Sequence, residues 1–254
     1  MKNLSTKKIE KYSRQIIMKE VGINGQKKIC RSSICIIGCG GLGTSAAQYL
    51  TMTGVENITL IDYDVVELSN INRQTLFFEE DIGLPKIEVL KKKLQKINPE
   101  SNIKIINVKL TKNNIEKIIG KIQFILDCTD NFKTRYLINK FCFDQRKILV
   151  SAALQNFDIQ VSAFAAWKKK SFPCYNCLFP QKKITALNNC DTMGVIAYSA
   201  GIGGLLQATI SINILISKST KFFSQLILFD CLNTNFKKIK ILKNKSCKVC
   251  KTLD

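Results

Sequence analysis

Short apolar runs alternate with segments of helical length through the first 152 residues, and this alternation constrains the fold more than any other feature of the sequence. The runs have the length and composition of buried strands: SICIIG (33–38), NITLID (57–62), IKIINV (103–108), KIQFILD (121–127) and KILVSA (147–152). Helices are predicted at 6–20, from the glycine turn through Thr53, from Pro85 (PKIEVLKKKLQKI), at 111–119 and at 131–144. Strands joined by such helices form βαβ units, so we predict an α/β fold with a Rossmann-like, mostly parallel sheet.

The pattern changes beyond Asp158. DIQVSAFAAW is followed by a loop carrying CYNC, a helix, and the strand-like segments QLILFD and NFKKIKIL. We expect these strands to be added at one edge of the sheet. Because the sequence contains no repeat and no linker, we predict a single domain over 1–254, with a first part at about 30–152 and a second at about 153–254.

A stretch of 23 residues from Val195 to Ser217 carries no charge and is long enough to cross a bilayer. It also contains serine, threonine, glutamine and asparagine, and four glycines or alanines fall within 200–204. We therefore predict a helix buried in the core or at a dimer interface, and no membrane association. The first residues lack the apolar segment of a signal peptide, so we expect a cytoplasmic protein.

The composition excludes several kinds of chemistry. The chain contains no histidine, which rules out Ser-His and Cys-His catalysis and leaves cysteines or carboxylates as zinc ligands. The net charge of +20 invites a nucleic-acid interpretation, but the lysines are spread evenly and only five arginines are present. Since base and phosphate recognition relies on arginine, we expect a solvated basic surface and no nucleic-acid partner, although the positive field favours encounter with an acidic protein.

A glycine-rich turn, GCGGLG, follows the first predicted strand and opens a helix. Backbone N–H groups and the helix dipole then face an anion, with Gly38, Gly40, Gly41 and Gly43 lining the turn. Asp62 ends the next strand, where a carboxylate can accept hydrogen bonds from ribose hydroxyls. These features alone suit NAD, FAD, S-adenosylmethionine or ATP equally well.

Charged and polar residues after the strand ends separate these ligands. Asn70, Arg73 and Lys86 follow the second strand within one segment, and Asp130 follows the strand that ends at Asp127. Two cations and a possible Mg²⁺ carboxylate suit a triphosphate under attack better than hydride transfer. Individually, Arg73 and Lys86 could be surface charges and Asp130 could cap the following helix.

The cysteines include two CxxC pairs, Cys174–Cys177 and Cys247–Cys250, among eleven in total. Without an export signal, a disulfide framework is not expected. The two pairs favour a closed Cys₄ zinc site, with a redox role as the lesser alternative.

The motifs GCGGLG, IDYDVVELSNINRQ, GLPK and DCTDN occur together in one order, and in this the chain resembles the ThiF/MoeB/HesA family, relatives of the ubiquitin-activating enzymes. YSRQI, GQKKI, CYNCLFP, CDTMGV, GLLQA and CKVC extend the resemblance over about residues 10–250. The resemblance implies an ATP-dependent adenylyltransferase that activates the C-terminal glycine of a ubiquitin-like sulfur carrier. It also implies that the first part binds ATP and the second binds the carrier and zinc.

The resemblance assigns roles to residues that match the family motifs. The glycine turn and Asp62 contact ATP, Asn70, Arg73 and Lys86 hold its phosphates, and Asp130 binds Mg²⁺; Gln74 and Asn131 also belong to the site. Arg14, in YSRQI, reaches into the ATP site of a partner chain, which implies a homodimer. Cys190 lies in a loop crossing the active site and either forms a covalent link with the carrier or is an ordinary loop thiol.

The leading hypothesis places the carrier in thiamine biosynthesis, and the alternative is the carrier subunit of molybdopterin synthase; sulfur is expected from a separate donor protein. A remote alternative is an NAD-dependent Rossmann oxidoreductase, which leaves Arg73, Lys86 and the CxxC pairs unused. A third is a non-catalytic scaffold, against which the intact charged residues argue.

Overall fold

A continuous eight-stranded sheet forms the centre of the protein. A computed structural model describes residues 4–181, 194–217 and 219–251. Among these residues the strands are β1 (Ser33–Ile37), β2 (Asn57–Asp62), β3 (Asn102–Asn107), β4 (Phe124–Asp127), β5 (Ile148–Gln155), β6 (Asp158–Phe164), β7 (Gln225–Asp230) and β8 (Asn235–Lys240). Their order is β3-β2-β1-β4-β5-β6-β7-β8. The first five are parallel and the last three antiparallel. The predicted α/β sheet with strands added at one edge is confirmed.

Helices cover both faces of the parallel part of the sheet. They are α1 (Thr6–Lys11), α2 (Ser13–Ile16), α3 (Gly22–Arg31), α4 (Gly41–Thr53), α5 (Leu68–Ile71), α6 (Lys86–Ile97), α7 (Ile115–Ile119), α8 (Phe132–Asp144), α9 (Tyr175–Leu178) and α10 (Ala197–Ser217). Short 3₁₀ turns occupy Glu79–Asp81 and Lys221–Ser224. Alternate residues of β1 face opposite cores: Ile34 and Ile36 lie in one, Cys35 and Ile37 in the other. A strand buried on both faces explains why SICIIG is continuously apolar.

Two predicted helices are shorter than the sequence pattern suggested. The segment 6–20 is interrupted at Tyr12, between α1 and α2. Tyr12 is buried, its hydroxyl accepts a hydrogen bond from Asn98, and its ring lies against Gly54 at the end of α4. Tertiary contacts of this one side chain therefore override local helix propensity. The segment predicted at 111–119 is helical only from Ile115, because Asn114 closes a turn on the amide of Thr111.

Helix α10 is long and apolar enough to cross a membrane, but half of it is buried inside the protein. Its small residues allow close contact with α4, because a Cβ on Gly203 or Gly204 would lie 2.6 Å from the Leu42 side chain or 2.3 Å from the Leu42 carbonyl oxygen. Packing in a protein core accounts for the uncharged stretch, as predicted.

Candidate functional site

The glycine turn is shaped by close backbone contacts. Gly38 has φ +90, and a Cβ there would lie 2.7 Å from the carbonyl oxygen of Cys128, at the end of β4. A Cβ on Gly43 would lie 2.0 Å from the carbonyl oxygen of Gly38. These two glycines are therefore required by the turn itself, which joins β1 to α4 and packs against the β4 end.

Gly40 and Gly41 do not shape the turn itself but determine what can approach it from outside. A Cβ on Gly41 would touch Ala200 of α10 at 2.7 Å and the carbonyl oxygen of Arg73 at 3.1 Å. Around Gly40 the described residues leave the space open: of their atoms, the nearest to such a Cβ is Nε2 of Gln74, at 3.7 Å. A ligand can therefore approach the Gly40 backbone directly, at the amino-terminal end of α4, where the helix dipole favours an anion.

Asp62 fastens the turn to the end of β2. Its Oδ2 accepts the N–H of Cys39 at 2.6 Å, and its Oδ1 accepts the N–H groups of Tyr63 and Asp64 at 2.7 and 2.9 Å. The carboxylate is half-buried. A carboxylate has about four acceptor sites and these bonds use three of them, so Oδ2 can accept one further hydrogen bond from a ligand hydroxyl beside the turn.

Arg73 lies against the same turn, with its Cγ 3.7 Å from the position of a Cβ on Gly41. Its Nη1 donates to the carbonyl oxygen of Ser69 at 2.8 Å and to Oδ1 of Asn72 at 3.0 Å. Within residues 4–181, 194–217 and 219–251, no carboxylate oxygen lies within 4.0 Å of this guanidinium. A half-buried cation without a counter-ion beside an open glycine backbone is suited to a phosphate.

Gln74, next in sequence, is 4% exposed, and its Oε1 has no hydrogen-bond partner in the described part of the chain. Such a buried polar group is costly unless a ligand satisfies it. Asn70 is also buried, but its side chain is engaged locally: it accepts the N–H of Glu67 at 3.3 Å and closes the capping box of α5. Asn70 therefore shapes the loop that carries Arg73.

Lys86 reaches the same edge, but it is paired. Its Nζ lies 3.1 Å from Oδ2 of Asp64, and its backbone N–H donates to the Asp64 carbonyl at 3.0 Å. Asp64 was not singled out from the sequence, although it stands two residues after Asp62. The Asp64 side chain is 50% exposed and that of Lys86 only 8%, so solvent reaches this pair from the carboxylate side, where an incoming phosphate can compete with Asp64 for the ammonium.

Asp130 lies just beyond the end of β4 and is exposed. The alternative that it caps the following helix is wrong, because Asn131 is the N-cap of α8 and accepts the N–H of Thr134 at 2.9 Å. Asn131 also donates to Oδ1 of Asp130 at 3.3 Å. In the part of the chain that the structure describes, no lysine or arginine nitrogen lies within 4.0 Å of the Asp130 carboxylate, which leaves it available to a cation.

A buried network that sequence reasoning missed holds the turn before Asp130. Asp127 is fully buried and accepts hydrogen bonds from the hydroxyls of Thr129 and Ser151 at 2.7 and 2.8 Å. Arg135 approaches it at 3.8 Å and donates to the carbonyl oxygens of Ala152 and Thr129. Gln207 of α10 donates to the carbonyl oxygen of Asp127 at 2.9 Å. One feature of the sequence could have pointed to this network: Gln207 is a large polar residue inside an uncharged helix and therefore needs buried hydrogen-bond partners.

Two predicted residues do not join this cluster. Arg14 is exposed on α2, which follows Tyr12 at the far end of α4 from the glycine turn. Cys190 lies outside the described residues, so its prediction stays open. The other cysteines near the turn are buried, and burial raises the pKa of Cys39 and Cys128 well above the usual thiol range, which keeps both as neutral core residues.

The four cysteines of the two CxxC pairs meet in space, although 69 residues separate the pairs. The sulfurs of Cys174, Cys177, Cys247 and Cys250 all lie within 4.8 Å of one another, with contacts of 3.4, 3.6 and 4.0 Å. A tetrahedral zinc with sulfurs at about 2.3 Å requires sulfur–sulfur distances near 3.8 Å. Asn176 donates to the Cys247 sulfur at 3.4 Å. Hydrogen bonding, above all from Cys174, lowers the pKa of the Cys247 thiol. The cluster therefore has the geometry of a metal site.

The fold and these groups together define a Rossmann-like protein with an anion site at the amino-terminal end of α4. Comparison with known proteins identifies the class further. The ThiF family model matches residues 12–249. The sulfur carrier protein adenylyltransferase of Thermus thermophilus is 36% identical over 245 residues, 95% of this chain and 90% of the relative. The molybdopterin-synthase adenylyltransferase of Escherichia coli is 35% identical over 253 residues, 98% of this chain and 99% of the relative.

The chain belongs to the ThiF family. Among solved structures, MccB of E. coli with ATP superposes with a TM-score of 0.81 at 24% identity, over 95% of this chain and 75% of that one. At this identity the likeness speaks for the fold alone. The family resemblance stated from the sequence is confirmed, and so is the enzyme class, an adenylyltransferase.

Proposed function

We propose that this protein transfers the adenylyl group of ATP to the C-terminal carboxylate of a small ubiquitin-like sulfur carrier. The observation that carries the proposal is the position of Arg73. Its stem lies against Gly41 and its guanidinium has no carboxylate partner within 4.0 Å among the described residues. Two relatives with 36% and 35% identity over nearly the whole chain carry the adenylyltransferase name, which supports the same reaction here.

The residues at the strand ends fit ATP. Within the described residues, the open space at Gly40 leaves room for a phosphate. The Oε1 of Gln74, which is unsatisfied in the same part of the chain, can accept a hydrogen bond from a ligand donor such as a ribose hydroxyl. We assign Asp62 the role of accepting a hydrogen bond from the ribose, and Arg73 and Lys86 that of neutralising phosphate charge. The exposed carboxylate of Asp130 is proposed to hold Mg²⁺, which would supply neutralisation of phosphate charge.

The reaction does not need a general base. The carrier's terminal carboxylate is ionised at neutral pH; one of its oxygens forms a bond to the α-phosphorus while the bond from that phosphorus to the pyrophosphate oxygen breaks. No proton moves in this step. Alignment and charge neutralisation are the enzyme's tasks, and lysine and arginine perform them without histidine.

The remaining assignments complete the proposal. The four-cysteine cluster is proposed to hold a structural zinc that joins the loop before α9 to the C-terminal segment. We propose a homodimer in which Arg14 serves the partner's site, since α4 separates it from the glycine turn of its own chain. We further propose that the protein is cytoplasmic, that the whole chain forms one adenylyltransferase domain, and that a separate protein donates the sulfur.

For the carrier we propose that of thiamine biosynthesis. The second candidate is the carrier subunit of molybdopterin synthase, and it is favoured by the relative from E. coli, which this chain matches over 99% of its length. ATP–pyrophosphate exchange with each purified carrier distinguishes the two. Exchange with only the molybdopterin carrier would overturn the thiamine assignment, and exchange with neither would overturn the proposed substrate class.

Gly40→Ala tests where the nucleotide binds. Among the described residues, a methyl group at this position meets only Nε2 of Gln74, at 3.7 Å, so the variant is expected to melt like the wild type. The same methyl group occupies the space proposed for a phosphate, so exchange is expected to fall by about tenfold or more. A variant that folds and exchanges normally would remove ATP from the glycine turn.

A further inference from the structure

A cleft separate from the glycine turn lies at the opposite end of the parallel strands, where β5 begins. It has a volume of about 580 Å³ and is lined by Arg146, Trp167, Lys168, Lys169, Phe172 and Thr220. Arg146 directly precedes Lys147 and β5, whereas the glycine turn follows β1. Strands β1, β4 and β5 are parallel, so the cleft and the turn lie at opposite strand ends. The four residues over which β4 pairs with β5 span about 13 Å, and the cleft and the turn are separated by at least that length.

The charge of this cleft is unbalanced. Three of its six lining residues are cations and none is acidic. In residues 4–181, 194–217 and 219–251, no carboxylate lies within 4.0 Å of Arg146, Lys168 or Lys169. Lys147, by contrast, points away and donates to the carbonyl oxygens of Gly120 and Ile122 at 2.5 and 2.7 Å. Unpaired like charges on a concave surface attract an anion.

The backbone at Arg146 supports a role for its side chain. This residue follows the C-cap of α8, Gln145, and has φ +51. Glycine is the usual residue there, since any side chain raises the free energy of this left-handed conformation. The negative end of α8 offsets part of that cost for a cation. An arginine at a glycine position places a guanidinium, with its flat donor fork, at the mouth of the cleft.

Aromatic rings complete the cleft. The indole N–H of Trp167 donates to the carbonyl oxygen of Lys147 at 2.8 Å, which fixes the ring. Nζ of Lys168 lies 5.3 Å from the centre of the Trp167 ring and 5.4 Å from that of Phe223. Phe172 packs on Phe223 with ring centres 5.7 Å apart. Nζ of Lys169 lies 6.0 Å from the centre of the Phe172 ring. Flat apolar surfaces beside cations match a ligand that has both a planar ring and a phosphate.

We propose that this cleft binds a phosphorylated nucleoside, with the base against Trp167 and the phosphate on Arg146 and Lys169. The ligand is a free nucleotide or one unit of a single nucleic-acid strand, which share this chemistry. An acidic peptide would satisfy the cations but leave the rings unused. This site is separate from the glycine turn and does not depend on the function proposed above.

The chain's single tryptophan makes the site directly observable, because Trp167 is the only indole in the protein. We expect AMP to quench its fluorescence saturably, both in the wild type and in Arg73→Ala, which weakens binding at the glycine turn. Arg146→Gly is the decisive variant. It removes the guanidinium and suits the backbone at φ +51, so the melting temperature is expected to rise while AMP affinity falls by about tenfold.

Lys169→Ala is expected to weaken AMP binding similarly, and Lys92→Ala, an exposed lysine of α6, serves as the charge control with unchanged affinity. An eight-nucleotide RNA strand that binds at least tenfold more tightly than AMP, with affinity falling as salt rises, identifies the strand as the ligand; equal affinities identify the free nucleotide. Quenching that is absent, that survives Arg146→Gly unchanged, or that disappears in Arg73→Ala overturns the proposal. Binding of inorganic phosphate as tight as that of AMP also overturns it, because the rings would then contribute nothing.

Discussion

Arg14 provides a direct test of the proposed dimer, because it lies near the end of α4 that is far from the glycine turn of its own chain. It lies two residues beyond Tyr12, whose ring contacts Gly54 at the end of α4, while the glycine turn begins α4 at Gly41. This helix has 13 residues and is therefore about 20 Å long. That length exceeds the reach of one arginine side chain, so we expect Arg14 to act, as proposed, at the site of a second copy.

Mixing the two variants Arg14→Ala and Arg73→Ala gives a quantitative test of the shared site. In a dimer of Arg14→Ala with Arg73→Ala, one site combines an intact Arg73 with the partner's intact Arg14, while the other lacks both. Purified heterodimer is therefore expected to recover about half of the wild-type ATP–pyrophosphate exchange, and a random mixture about a quarter.

The assay uses two affinity tags to isolate the mixed dimer after co-expression. A mixture of Arg14→Ala with the doubly substituted chain is the control, and it has no complete site in any pairing. If the isolated Arg14→Ala/Arg73→Ala heterodimer stays inactive, or if Arg14→Ala alone exchanges normally, the shared-site reasoning is refuted.

Three further predictions follow from the same structure. Arg73→Ala and Asp130→Ala are each expected to lower carrier-dependent exchange by about 100-fold or more with unchanged melting curves, and full exchange in either would contradict its assignment. Gly43→Ala is expected to lower the free energy of unfolding by about 3 kcal/mol, because its methyl group would lie 2.0 Å from the Gly38 carbonyl oxygen. Gly201→Ala is the control, because no atom of the described residues outside its own helix turn would lie within 4 Å of the new methyl group. It is expected to raise the free energy of unfolding by up to about 1 kcal/mol, and equal effects of the two substitutions in urea titrations would refute the packing argument. Metal analysis is expected to find about one zinc per chain, absent after serine replaces one cysteine of each CxxC pair, and a stably folded, metal-free wild type would exclude a structural zinc.

Most of the sheet could be predicted from the sequence because each strand carries its own signal. NITLID coincides with β2 (Asn57–Asp62), and the other apolar runs differ from their strands mainly at the ends. The interruption at Tyr12 could not be predicted in this way. It depends on contacts with Gly54 and Asn98, which are more than forty residues distant in sequence.

The residues of the candidate site could likewise be predicted only in part from the sequence. Residue type and place after a strand end were sufficient to select Asp62, Arg73 and Asp130. The pairing of Lys86 with Asp64 was not visible, because any exposed carboxylate nearby could have served. The buried pair of Asp127 with Arg135 was also missed, since an arginine in a helix is ordinarily a surface residue and only the fold brings the two together.

Some charged groups of this protein maintain the fold, whereas others remain available to bind a ligand. Asp127 and Arg135 are buried and satisfied by several hydrogen bonds each. Arg73 and Asp130 have opposite charges and stand at the same edge of the sheet, yet within the described chain neither is within 4.0 Å of an opposite charge. If stability alone had shaped this edge, the two could have neutralised each other. Their separation suits a ligand that brings both negative phosphate oxygens for the guanidinium and a divalent cation for the carboxylate, and a triphosphate with Mg²⁺ is such a ligand.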